Sequence, residues 1–395
     1  MGEQQTKLWT KDFIYIIVIN FLVFMSHIMI LSTFPFYIES LGGSETISGL
    51  AAALFSFIAV LCRPFIGWIL DNGKRKAILI IGIAGMAFTP IGYMCVSVIF
   101  LAFVCRMVHG ASLACANTTS STIATDIIPK ARFAEGMGMF GMATALATSV
   151  APALGLFLMD KMGYTALFLS AAGSMAIAFV LFLLLKTPKI QVNKKPLCFK
   201  ALLDKDAAPA SAVALVFLLT FGALENFLAK FANDENLPGG GIFFAVMAGM
   251  LLLTRVTVGK VADQRGEGIF VYTCNASMFF AFLLLAFVPN TVTFLIAAVL
   301  AGYGFGGIEP ALQSMAVHIA PPSRRGSANS TFLCAYDIGI GLGGGLAGFL
   351  IAACGYRRMF TIISFANIIS VVLYMAWGRK HPSSFSYTLH KAEEN

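Results

Sequence analysis

Twelve stretches of predominantly apolar residues, divided by short polar breaks, run from residue 13 to residue 377. They fall at 13–37, 47–70, 77–96, 99–125, 135–159, 164–185, 209–231, 242–262, 269–288, 291–318, 327–353 and 358–377. About 20 such residues in a helix cross a bilayer core. In lipid every backbone N–H and C=O must be paired within the structure, which a helix does by itself. The pattern therefore predicts an all-α membrane protein with twelve transmembrane helices. Composition agrees: 58% of residues are hydrophobic and 12% charged, against roughly 25% charged in soluble domains. The lipid bilayer is thus the first expected partner. The net charge of +8 is expected in basic loops at the membrane surface rather than on a nucleic-acid-binding face.

The polar connections set the organisation. The longest, KTPKIQVNKKPLCFKALLDKDAAP, separates the sixth and seventh stretches. It predicts a cytoplasmic linker, 187–208, between an N-terminal six-helix bundle (1–186) and a C-terminal one (209–395). With the N-terminus inside, 20 of the 27 Lys and Arg fall in cytoplasmic segments, 4 lie outside, and Arg63, Arg106 and Arg255 lie within spans. Basic residues concentrate on the cytoplasmic side, so both termini are expected there. The polar start, MGEQQTKLWTKD, leads into a long span, and no cleaved signal peptide is expected. Short loops point to a multi-pass protein of a plasma (cell inner) membrane, expected as a monomer.

The two bundles repeat. An offset of 192 residues carries Arg63, Gly67 and Asp71 onto Arg255, Gly259 and Asp263. The same offset carries Gly110 onto Gly302, Pro129 onto Pro321, Arg132 onto Arg324, Gly163-Tyr164 onto Gly355-Tyr356 and Phe168 onto Phe360. Six spans preserve the in/out direction, so the halves are parallel repeats about an axis along the membrane normal. That arrangement predicts a binding site near the midplane, between the halves.

These residues resemble the major facilitator superfamily, most closely its twelve-helix drug and metabolite proton antiporters. The family's loop motif after the second helix reads G-x-x-x-D-x-x-G-[RK]-[RK]. Gly67, Asp71, Arg75 and Lys76 match it, while Lys74 takes the second Gly position and Gly73 comes one residue early. The second copy keeps Gly259, Asp263 and Gly266 and places Glu267 where a base is usual. The fourth-span motif R-x-x-Q-G is similar to Arg106-Met107-Val108-His109-Gly110, with His109 in place of Gln. Of the fifth-span antiporter motif, Ala147, Ala151-Pro152 and Gly155-Leu156 remain. The resemblance covers about residues 13–378. It implies a gating role for Arg63, Gly67, Asp71, Arg75, Lys76, Arg255, Gly259 and Asp263. It also implies that Asp71 meets the N-terminal end of the eleventh helix and holds the inner gate shut.

Ionisable side chains within spans are costly and mark function by default. The N-terminal half carries His27, Arg106 and His109; the C-terminal half carries Glu225, Glu309 and Asp337. In the fold that the resemblance implies, a basic wall faces an acidic wall across the transport path. Asp337 and Glu309 are the leading proton or cationic-substrate sites, and Glu225, nearer its helix end, either joins them or snorkels. Arg106 binds an anionic group, neutralises a carboxylate or orients its helix. His109 and His27 serve as hydrogen-bonding or titrating groups. His318 and Asp126, near helix ends, are expected at the interface, and Lys74-Arg75-Lys76 are expected to anchor a helix end by charge.

The resulting expectation is a secondary transporter, not an enzyme, that exports a small organic compound by alternating access with proton coupling. The alternatives are nutrient uptake by symport or facilitated diffusion, and a receptor that has lost transport. No cofactor or metal is expected: the eight Cys form no C-x-x-C pair and no His cluster has ligand spacing. Three G-x-G-x-x-G matches, starting at Gly136, Gly302 and Gly339, lie in apolar spans outside any βαβ unit and are read as helix-packing glycines.

Overall fold

The computed structural model describes residues 7–43, 45–95, 98–187, 203–238, 240–287 and 290–384. Among these the chain is helical without strands. Its helices are α1 (Lys11–Ser40), α2 (Glu45–Asp71), α3 (Arg75–Met94), α4 (Ile99–Ile127), α5 (Phe133–Leu184), α6 (Ala208–Asp234), α7 (Gly240–Arg265), α8 (Gly268–Phe287), α9 (Thr291–Val317) and α10 (Arg325–Leu373).

Two of these ten helices are twice the length a bilayer needs, and each is bent. α5 turns at Gly163 (φ 78°, ψ 176°) and α10 at Gly355 (φ 81°, ψ 169°). Such angles are open to glycine and strained for any residue with a Cβ. The two glycines are 192 residues apart, so each half makes its last turn in the same way. Counting the bends, ten helices become twelve rods. Where the sequence predicts a loop between spans, a single residue suffices.

Polar satisfaction and packing explain the rest. Asn290 caps α9 with a reciprocal capping box to Thr293, which pairs N–H groups that the helix leaves open. Large apolar side chains face outward: Phe100 is 76% exposed, Phe349 72%. On a water-soluble protein such a surface would aggregate; here it is the lipid-facing coat. Inside each repeat, a small residue lets two backbones approach. A Cβ on Gly110 would lie 2.5 Å from the Phe55 carbonyl oxygen, and one on Gly302 would lie 2.3 Å from that of Met247. Both pairs obey the 192-residue offset, as small-residue crossings in membrane helices require.

The chain forms two compact units. One comprises Met1–Ile128, Ala143–Leu203 and Pro321–Ser330; the other comprises Pro129–Met142, Asp204–Ala320 and Thr331–Asn395. The first is built around Phe34, Tyr37, Tyr93 and Phe168, whose rings meet edge-on or tilted at 5.2–6.0 Å. In the second, Phe360, the repeat equivalent of Phe168, meets Phe231 at 5.0 Å and Phe282 at 5.4 Å.

Candidate functional site

The α2–α3 turn carries the early glycine, and the backbone accounts for it. Gly73 has φ +86°. Its N–H donates to Leu70 O (3.0 Å), and the N–H of Lys74 donates to Ile69 O (3.4 Å). This is the paired-bond C-cap in which glycine adopts the left-handed conformation. In the second copy Gly266 (φ +80°) makes the single-bond version, donating to Ala262 O at 2.9 Å. Moving the glycine by one position changes the type of cap and still ends the helix.

That cap fixes Asp71 at the last turn of α2, in the first unit. Its Oδ1 accepts from the N–H of Gly326 (2.8 Å), and its Oδ2 accepts from the N–H (3.1 Å) and Oγ (2.6 Å) of Ser327. These donors lie in the first turn of α10, where N–H groups have no intrahelical partner and the helix dipole favours an anion. The backbones can meet because both positions lack side chains. A Cβ on Gly67 would lie 2.9 Å from Gly326 O, and one on Gly326 would lie 2.6 Å from Gly67 O.

Beside this contact lies a buried charge cluster. Asp126 on α4 pairs with Arg75 through one oxygen and with Arg325 through the other, the latter at 3.2 Å. Arg75 also donates to Pro322 O (2.6 Å) and Arg325 to Thr125 O (2.6 Å). Two expectations are corrected. Arg75 is buried, whereas Lys74 and Lys76 are exposed, so only the two lysines remain as surface anchors. Asp126 is buried as well, with a side chain only 3% exposed. A carboxylate shared by two guanidiniums can tolerate burial that a lone one cannot.

The second unit holds the repeat equivalents with the acidic and basic residue types exchanged. The 192-residue offset carries Arg75 onto Glu267 and Asp126 onto His318. Glu267 is fully buried and accepts from Tyr374 Oη (2.7 Å) and from Ser384 Oγ. Burial pushes His318 below its ordinary range; Glu267 opposes that shift and Lys130 adds to it. The side chain of Asp263 and position 259 lie outside the described residues.

Deeper in the same unit, Arg255 on α7 donates to Glu309 on α9. Their side chains are 2% and 14% exposed. Space for the guanidinium comes from α5: a Cβ on Gly141 would stand 1.8 Å from Arg255 Nη1. Glu309, Glu225, Arg255 and Asp337 all lie within electrostatic reach of the Tyr336 hydroxyl. Asp337 is half-buried and Glu225 exposed. In the first unit, Arg63 instead donates to Thr118 Oγ1 (3.1 Å).

The basic residues of the N-terminal half also cluster. The Arg106 guanidinium lies 4.4 Å from the Phe34 ring centroid and 4.5 Å from that of Phe55. His27 stacks on Phe55 at 4.9 Å and meets His109 edge-on at 5.5 Å.

Comparison with known proteins settles the family. The profile of the Major Facilitator Superfamily matches residues 16–289 and 240–393. The chain belongs to the Major Facilitator Superfamily. It is similar to the uncharacterized MFS-type transporter YhhS of Escherichia coli (strain K12), with 24% identity over 92% of this chain and 91% of YhhS. Among solved structures it is similar in fold to the human organic anion transporter MFSD10, with a TM-score of 0.77 at 17% identity, covering 92% of this chain and 98% of that one. FucP, the fucose:proton symporter of E. coli, in its outward conformation gives a TM-score of 0.76 at 16% identity over the same shares.

For this Major Facilitator Superfamily transporter, ten of the fourteen expected site residues fall into three clusters, and Arg63 and Lys76 lie outside them. Gly67, Asp71 and Arg75 meet at the first turn of α10; Arg255, Glu309, Glu225 and Asp337 gather near Tyr336; Arg106, His109 and His27 share one aromatic box. Arg255, grouped by motif with the gate, is bonded to Glu309. The partners missed by the sequence reading are Asp126, Arg325, Ser327, Gly141 and Tyr336. For Asp126 a signal existed: its repeat equivalent changes to His just where that of Arg75 changes to Glu.

Proposed function

We propose that the chain exports a small organic compound by alternating access, driven by protons, from a cell inner membrane with both termini in the cytoplasm. The bodies that move are the bundles 1–186 and 209–395, joined by the linker 187–208, in a monomer. The observation that carries proton coupling is the buried Arg255–Glu309 pair. A carboxylate in a low-dielectric span keeps its charge only while a cation neutralises it. Neutralising Glu309 releases Arg255, and moving α7 away from α9 breaks the pair, so the charge on Glu309 and helix position are linked. Asp337 and Glu225 supply further acids beside the same tyrosine.

Asp71 is the latch in this reading, because its bonds to α10 must break when the cytoplasmic end opens. The twenty basic residues on one side of the predicted spans support the orientation. That E. coli and human relatives of this fold handle fucose and organic anions leaves the cargo to be read from the site, since one fold hosts many cargoes. Direction is read from the same assay as coupling. Flux of a stabilising compound in proteoliposomes should respond to an imposed pH gradient, and its sign separates export by antiport from uptake by symport. Flux indifferent to the gradient overturns proton coupling.

A further inference from the structure

The N-terminal half buries a positive charge that no described carboxylate side chain of its unit neutralises. Arg106 is fully buried, and its Nε and Nη1 have no hydrogen-bond partner among the described residues. The same holds for His27 Nδ1 and both ring nitrogens of His109. Five unpartnered polar atoms thus crowd into one cluster held by α1 and α4. Buried polar groups are nearly always paired, and each exception calls for a cause.

The described acids of this unit are occupied or distant. Asp71 and Asp126 are bonded at the first turn of α10. Asp12 accepts from the N–H of Lys186. Glu39 and Asp160 line a separate cleft with Tyr164. Among the described residues, Arg106 is surrounded by the Phe34 and Phe55 ring faces, Tyr93, His27 and His109, none of which carries a negative charge. Two ring faces offset part of the cost of burying a guanidinium, and the desolvation of an ion exceeds what they return.

What would satisfy this cluster is an oxyanion on an apolar body. Arginine has only donors to offer, and a neutral imidazole offers one donor and one acceptor. A carboxylate or similar group accepts from Arg106 and the histidines by charge-assisted bonds. The faces of Phe34 and Phe55 then match an aromatic or aliphatic remainder. We infer that the cargo is an organic anion with an apolar body, its charge recognised by Arg106, His27 and His109. This rests on the transport reading above and names the substrate class.

The test uses the purified full chain in detergent with three probes matched in shape: cinnamate, cinnamamide and protonated cinnamylamine. Calorimetric titration should give cinnamate at least ~10-fold tighter binding than the other two, the return from a charge-assisted bond. Arg106→Gln should abolish that preference, and His109→Gln should reduce it. If Arg106→Gln does not fold, the wild-type comparison alone decides. Equal binding of the three probes, no binding of cinnamate, or an Arg106→Gln protein that keeps the preference overturns the assignment. No gradient exists in micelles, so this outcome is independent of proton coupling. Gradient-indifferent flux would remove the coupling and leave the anion preference intact.

Discussion

Asp71 ends α2 and caps α10: its carboxylate receives the N–H of Ser327 at 3.1 Å and the Ser327 hydroxyl at 2.6 Å, across 256 residues of sequence. A helix N-terminus is normally capped from within its own chain segment. Here the cap comes from another repeat, so the first turn of α10 is satisfied only while α2 stays in place.

Asp71→Asn keeps an acceptor and removes the charge. Loss of the charge–dipole term and weakening of the bonds should cost about 1–2 kcal/mol, or roughly 5–30-fold in the ratio of closed to open at this end. Spin labels on the exposed positions Lys76 and Ile319 should then show a larger long-distance population. An unchanged distance distribution would contradict the latch.

Asp126→Asn leaves Arg75 and Arg325 buried without their shared anion. Removing one partner of a buried pair costs about 3–5 kcal/mol, so the melting temperature should drop clearly. Adding Arg75→Gln should recover part of the loss, because one stranded cation is then gone. Strict additivity of the two substitutions would show that the pair is uncoupled.

Gly141→Ala places a methyl where Arg255 Nη1 now lies, at 1.8 Å. The guanidinium must move away from Glu309. Gradient-driven flux should fall about 10-fold or more, matching Glu309→Gln, since about 1.4 kcal/mol in the barrier suffices. Gly173→Ala, which meets nothing within 4 Å, serves as the control and should leave flux unchanged. Equal flux in Gly141→Ala and wild type would detach the pair from transport.

His318 sets a pH dependence of stability. Burial lowers it below its ordinary value of 6.5, with Glu267 and Lys130 as the charged groups bearing on it. Between the two values the unfolded chain holds the proton and the folded chain does not. Stability from this group is therefore full above about pH 6.5 and declines as pH falls. His318→Gln should lose less thermal stability than wild type between neutral and mildly acidic buffer; identical losses would exclude the effect.

Hydrophobic spacing made the helices legible. The predicted stretch 291–318 is α9, Thr291–Val317, and the breaks before 164 and 358 are the bends at Gly163 and Gly355. Periodicity reports burial in lipid or protein, and glycine reports where the chain turns. Partnership across hundreds of residues is a different matter. Asp126 stands alone in its segment, so it reads as interfacial until Arg75 and Arg325 are brought to it. With 36 Phe in the chain, nothing in the sequence selects Phe34 and Phe55 as the walls around Arg106. The repeat offset carries the missing information in one case: Arg75 and Asp126 become Glu267 and His318 together.

In this reading, movement of the organic anion held by Arg106, His27 and His109 is coupled to protons taken up by the acids around Glu309. The direct measurement is lumenal pH, followed with an entrapped dye, while a compound that stabilises the purified protein is driven down its own gradient into or out of proteoliposomes. Coupling predicts that the compound moves protons, with the sign giving antiport or symport, and that Glu309→Gln and Asp337→Asn abolish the pH change. Measurable flux of the compound with no change in lumenal pH would contradict it.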